Sequence, residues 1–389
     1  MEGAALANEW PADGPTVAWR QPLGDGHSSI LVEDGRLYTM YRPAPPGGKG
    51  WADRETVIAL DEATGKTVWE HTYPARPLNF RFGAGPFATP LIAGDRLFSV
   101  GSNNQLFALD KVSGKVIWSH DLVAEFGAHE TLVRPAVKAG ISSSPIAFRD
   151  LVIVMGGGPG QAVMAFDRAS GKLRWKSGDF NIAQAAPILI EVGGRPQLVA
   201  FGGTGVHGLD PDTGRELWSH PHDTDGDMNI STPVWHPNGD LFVSSAYDGG
   251  SRLLHLTADG DRTRVEERWF TRRLRIQFST AMRFDDFIVG SNGDFGATPL
   301  TAVDAATGEV LWQDRAFGRA SFLRVGDRLL LLDENGVLGL ARPTREGLTV
   351  LARTEVLTSR AWTVPTLAGT SVYARDRREI MKLELPRRR

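Results

Sequence analysis

The chain has 389 residues, 41% of them hydrophobic, with 43 basic and 46 acidic side chains for a formal net charge of −3. This balance points to neither a nucleic-acid partner nor an acidic polymer, and the length is enough to bury a sizeable core in one domain spanning 1–389. There is no cysteine, so no disulfide is needed and either redox compartment is permitted.

Met1–Trp10 has neither the basic start nor the apolar core of a signal peptide, and no apolar run reaches the roughly 18 residues of a transmembrane helix. A lone strand at 16–20, centred on Trp19, comes next. An apolar hairpin over Ile30–Met40 then leads into a phrase that recurs along the chain, Ala-x-Asp-x-x-x-Gly-x-x-x-Trp. Its copies run from Ala59 to Trp69, Ala108 to Trp118, Ala165 to Trp175, Gly208 to Trp218 and Ala302 to Trp312. Worn copies occupy Leu254–Trp269 and Leu338–Arg353, the latter without tryptophan. An apolar hairpin precedes each one, and an eighth begins at Val364.

The phrase predicts two antiparallel strands joined by a tight turn, in which the Asp carboxylate accepts N–H groups one and two residues on and Gly supplies a positive φ. The Trp is too large for its own hairpin to cover. Trp19, Trp69, Trp118, Trp175, Trp218, Trp269 and Trp312 are therefore expected to lie between modules, with the small first residue leaving room. Repeats of this length mean stacked supersecondary units. The reading is all-β: an eight-bladed propeller of four-stranded antiparallel blades at about 28–75, 88–122, 143–179, 185–221, 231–271, 279–314, 320–354 and 363–385, the last completed by 16–20. Closure removes free sheet edges, whereas an open solenoid would need capping repeats that are absent.

On these residues the chain resembles the tryptophan-docking repeats of quinoprotein dehydrogenases and of their non-enzymatic relatives, the pyrroloquinoline-quinone-like repeat proteins that include outer-membrane assembly proteins of the BamB type. The resemblance covers about residues 16 to 386 and implies fold more than function. It implies an extracytoplasmic location, with the leader not part of this chain. The absence of cysteine also excludes the adjacent-cysteine disulfide ring of many quinoprotein alcohol dehydrogenases, so the residues do not support pyrroloquinoline quinone as cofactor.

Function is expected on the irregular face, where blade-to-blade loops and the loops joining second and third strands open around the channel. Two long loops, Arg42–Glu55 and Leu122–Gly140, are candidate lids. The blade-to-blade positions His27, Phe87, Ser142, Gln184, Asn229, Gln277, Arg319 and Trp362 are expected at the channel mouth, joined by Asn103, Tyr247, Asp248, Asn292, Asp294, Glu334 and Arg375 from the second set. Of these, His27, Gln184, Asn229, Tyr247, Gln277, Asn292, Arg319 and Trp362, with Arg134, are the ligand-binding candidates for a polar small molecule. If the protein is an enzyme, His129 would act as base and Asp248 with Asp294 as a carboxylate pair. Alternate oxygens over His220–Asn229 imitate a calcium loop, but Met228 and Val234 stand where the glycine and closing glutamate belong, so no metal is assigned. The expectation is a monomeric, non-redox module that binds a protein partner or polar small molecule, with sugar-like acid–base catalysis as the alternative.

Overall fold

The computed structural model describes residues 6–45, 47, 50–78, 82–132 and 139–387. They form eight four-stranded antiparallel sheets, seven built from consecutive strands. In the eighth, Thr16–Pro22 pairs with Glu379–Glu384, placing Val17 opposite Leu383 and Arg20 opposite Met381. The ring is an eight-bladed β-propeller closed by its N-terminal strand. The helix Leu122–Phe126 is the one α-helix among the described residues; Asp121 caps it and Gly127 ends it in the left-handed conformation.

Within each blade, burial follows strand position. The innermost strands are short, such as Leu31–Glu33, Leu91–Ala93 and Thr366–Ala368. Second strands such as Leu151–Met155 and Arg328–Asp333 are buried throughout, because both faces pack against neighbouring blades. Their unbroken apolar sequences answer that environment. Outer strands such as Val116–Asp121 are half exposed.

The repeated phrase makes the seams. Asp61 accepts from the amide of Thr64 at 2.9 Å and from its hydroxyl at 2.6 Å, and Asp167 accepts from the amides of Ala169 at 3.1 Å and Ser170 at 2.8 Å. The bonds thus reach two and three residues on, not one and two, because the turn closes as a backbone bond from Gly to Asp. Ala59, Ala108, Ala165 and Gly208 sit directly opposite their Trp, and each pairing is followed by a register shift that strengthens strand twist. The indole turns onto the next blade. Trp69 donates to Lys111 O at 3.2 Å, Trp118 to Arg168 O at 3.0 Å, Trp175 to Pro211 O at 3.2 Å and Trp269 to Ala305 O at 2.9 Å, in each case the residue after the Asp position of the following copy. The ring lies on that copy's glycine: a methyl group on Gly114 would stand 2.5 Å from Trp69 Cε3. Trp19 does the same across the closure, donating to Glu62 O at 3.0 Å and covering Gly65.

Three seams depart from this rule. Trp312 keeps the backbone bond, donating to Thr344 O at 2.7 Å, but Gly347 of that turn has open space around it and carries no ring. Blade 5 offers Trp218 no such turn, and its indole donates to Gln197 Oε1 at 2.7 Å, while Gln197 Nε2 donates to Thr263 Oγ1 at 2.7 Å. The indole then folds back over the neighbouring strand of its own blade, where any Cβ at position 208 would overlap it, so this copy carries Gly in place of Ala. Blade 7 has no tryptophan. There Leu6 is buried among Leu330, Leu338, Val356, Val372 and Leu383, with Trp10 packed alongside, and Arg328 holds the segment by donating to Leu6 O and Asn8 Oδ1, both at 3.0 Å.

Candidate functional site

The blade-to-blade connections and the loops between second and third strands are hydrogen-bonded to one another, as in Gly203 N to Asn181 O at 2.7 Å, Ala246 N to Ile276 O at 2.9 Å and Glu334 N to Arg319 O at 2.7 Å. They share one face of the ring, and the Asp-Gly turns take the other. At the centre of the loop face opens a funnel of about 470 Å³ lined by all eight blades.

Strand periodicity sorts its walls into levels. The entries of seven innermost strands, all but that of blade 7, each contribute one residue to the mouth, and the residue two further on lies deeper. The mouth holds His27, Phe87, Ser142, Gln184, Ile230, Phe278 and Trp362, together with Phe82, Met228 and Tyr247 from loops. Below it runs a belt of six hydroxyls, Ser29, Thr89, Ser144, Thr232, Thr280 and Ser321, with Ala186 and Val364 completing the circuit. Met282 and Leu323 lie one step deeper. Among the described lining residues there is no Asp, Glu, Lys or Arg.

The mouth is an aromatic cluster. Phe82, from the loop between blades 1 and 2, reaches across to Phe278 of blade 6 at 5.0 Å and Trp362 of blade 8 at 5.7 Å. His27 lies between Phe87 at 5.5 Å and Trp362 at 5.3 Å. Its Nε2 bonds to Phe82 O at 2.8 Å, so Nε2 carries the proton and Nδ1 keeps a bare lone pair. Burial pushes the imidazole down to about 4, and it is neutral at pH 7.

Charge is confined to the rim and satisfied there. Glu334 accepts from the Trp362 indole at 3.0 Å and pairs with Arg360 at 3.4 Å and Arg319 at 3.6 Å. Arg319 also lies over the Phe278 ring at 5.1 Å. Asp25 accepts from Arg377 Nε at 2.6 Å and from the Trp51 indole at 3.1 Å. Burial opposes its ionisation, but Arg377 outweighs that and keeps the carboxyl below its ordinary range. Arg375 is fully buried and donates to Met40 O and Gly24 O; desolvation lowers it to about 10, and it ties blade 8 to blade 1.

Of the residues that the sequence nominates for the site, His27, Gln184, Tyr247 and Trp362 line the funnel. Arg319 stands at its rim, and Gln277, buried just behind the mouth, donates to the Tyr247 hydroxyl. Asn229 is fully buried in the wall, donating to Gly202 O at 2.7 Å and Gly203 O at 3.0 Å. Both departures are one residue in register, since Ile230 and Phe278 take the mouth positions. Asn292 pins its loop through Arg273 O at 2.8 Å and Arg275 N at 2.9 Å. His129 lies off the funnel against Gly157, its imidazole lowered by burial. Asp248 is exposed at φ +66°, and Asp294 accepts from Phe295 N at 2.8 Å. Among the described residues no hydrogen bond or ion pair joins these three. Arg134 falls outside the described residues. The calcium-like stretch is taken up by protein contacts, with Asp227 accepting from Asn181 at 3.1 Å and His222 from Arg252 at 3.0 Å; among the described residues no cluster of three or more His, Asp or Glu could hold a metal ion.

Sequence reasoning missed Phe82, Phe278 and the hydroxyl belt. The belt had a signal: a small or hydroxylated residue precedes proline at Thr89, Ser144, Ala186 and Thr232.

These features define an eight-bladed propeller whose central funnel carries no formal charge among its described lining residues and is ion-paired at its rim. Residues 53–314 match the family described as outer membrane protein assembly factor BamB, and the chain belongs to that family. Comparison with curated proteins finds no match. Among solved structures, the crystal structure of BamB from Moraxella catarrhalis is similar with a TM-score of 0.64 at 17% identity, over 95% of this chain and 97% of that one. Quinohemoprotein alcohol dehydrogenase from Comamonas testosteroni is similar with a TM-score of 0.65 at 11% identity, over 100% of this chain and 78% of that one. The computationally designed Ika8 protein gives 0.57 at 13% identity, over 93% and 98%. At these identities the likenesses speak to fold alone.

Proposed function

We propose that this propeller is a non-redox binding and assembly module, working outside the cytoplasm, that holds a protein partner on its loop face. The family match over residues 53–314 carries the reading. The loop face supports it: Phe295 is 56% exposed and its ring meets Tyr247 at 6.1 Å, with Arg272 and Arg273 exposed on the connection between blades 5 and 6. Aromatic anchors flanked by charge suit protein interfaces.

The site residues favour binding over catalysis, because His129, Asp248 and Asp294 are not assembled around one substrate position. Pyrroloquinoline quinone is a tricarboxylate. Among its described residues the funnel lining offers it no cation, and offers a calcium ion no carboxylate, so these residues do not fit that pair.

Photo-crosslinking in cells from position 295, compared with position 112 on the turn face, tests the reading. Val112 is 59% exposed and serves as the control. A defined protein crosslinked from 295 and not from 112, in an extracytoplasmic fraction, is the expected result. Crosslinks confined to 112, or quinone- and calcium-dependent oxidation of an alcohol by the purified protein, would overturn it.

A further inference from the structure

We propose that the central funnel binds a neutral, ring-shaped polyol, a mono- or disaccharide, between its aromatic mouth and the hydroxyl belt beneath. This rests on the loop face being the working side of the ring, and adds a ligand to it.

The cavity of about 470 Å³ falls in the usual range for small-molecule sites, about 300–1,000 Å³. Its two levels ask for a ligand with two kinds of surface. Phe82, Phe87, Phe278 and Trp362 present flat apolar faces suited to the C–H face of a sugar ring. The belt presents hydroxyls in a defined sense. Thr89 Oγ1 accepts from Ser29 N at 3.0 Å and Ser144 Oγ accepts from Thr89 N at 2.9 Å, which leaves each O–H free to donate into the channel. Thr232 and Thr280 have no side-chain partner within the described protein and can donate or accept.

Three buried polar atoms of the lining residues, His27 Nδ1, Gln184 Oε1 and Ser279 Oγ, have no hydrogen-bond partner among the described residues. These atoms lie behind the lining surface rather than on it, so the exposed hydroxyls of the belt, not they, set what the funnel asks of a ligand. A purely apolar ligand would leave the hydroxyls of the belt without partners.

The absence of formal charge from the described lining sets the specificity. An anion entering the funnel would lose hydration and meet no cation among the described lining residues. A quaternary ammonium would find aromatic faces, but Arg319 already lies over Phe278 and repels a second cation. Neutral hydroxylated rings face neither obstacle.

Calorimetric titration of the intact protein with glucose, maltose and myo-inositol, against glucuronate, choline and pyrroloquinoline quinone, tests this. Binding of at least one neutral probe at millimolar or lower concentration, with the charged ones weaker, is expected. Trp362→Ala should abolish it. The double variant Thr232→Val/Thr280→Val keeps side-chain shape and removes hydroxyls that hold nothing in the described protein, so it should fold normally and raise Kd about tenfold. Silence from all three neutral probes, equal or tighter binding of a charged probe, or an unchanged Kd in the threonine pair would each overturn the proposal. The crosslink from position 295 is read independently, so failure of the sugar site and failure of the partner site are separable.

Discussion

Between blades 2 and 3, Trp118 donates to a backbone carbonyl at 3.0 Å and lies on the glycine of the next turn. Between blades 4 and 5, Trp218 finds no such turn and donates to the side chain of Gln197 at 2.7 Å. Both seams meet the same two requirements, a partner for the buried indole N–H and a dry surface under the ring. The repeated phrase is one solution. In the other, Gln197 lies within the blade that carries Trp218 and bridges outward to Thr263. Leu6 and Trp10 show that a seam can be filled without an indole bridge.

Four substitutions would break or sharpen this contrast. Gly114→Ala places a methyl group 2.5 Å from the Trp69 ring at φ +72°, whereas Gly94→Ala meets open space at φ +69°. We expect about 3–4 kcal/mol lost in the first and about 1 kcal/mol in the second by urea denaturation, the difference being the seam's own steric term. Leu6→Ala should cost about 3 kcal/mol, as for other buried leucines, and lower the Tm of the whole ring; a silent substitution would mean that blade 7 closes without the segment. Gln197→Ala leaves the Trp218 N–H buried without a partner and should cost about 2 kcal/mol. No comparable side-chain truncation exists at the Trp118 seam, where the acceptor is backbone.

The smallest effect concerns acid. The Ser113 hydroxyl and amide hold Asp110 below its usual 3.8, and Thr64 does the same for Asp61. A carboxyl depressed in the folded state contributes stability above its unfolded pKa and loses it as pH falls through the folded one. Asp61→Asn/Asp110→Asn should therefore flatten the loss of stability below about pH 4 in pH-dependent melts, by a small amount because both turns are solvent-exposed. An unchanged acid limb would mean the turns hold without ionised carboxylates.

The architecture was legible because the phrase couples sequence to a physical need: glycine where an indole must land, aspartate where a turn must close. Eight blades and closure by the strand around Trp19 follow from it. The funnel was legible only in part. His27, Gln184 and Trp362 lie where the spacing of blade entries places them. For Asn229 and Gln277 the entry is one residue later, because strand alternation, not loop polarity, decides which side chain faces the channel. Polarity favoured the amides, and the mouth took Ile230 and Phe278. Phe82 could not be read at all, because reaching blades 6 and 8 from the loop after blade 1 is a property of the closed ring.

Ring closure also has a consequence in time. Val17 pairs with Leu383, so one edge of the eighth sheet is synthesised before any complete blade and its partner after seven of them. Until then Trp19 has its seat on Gly65 but no strand beside it, and the blades stand as an arc with two raw flanks. Locking thus comes late, and it joins the two blade strands most distant in sequence. A chain stalled before residue 379 would keep seven complete sheets and still leave the ring open.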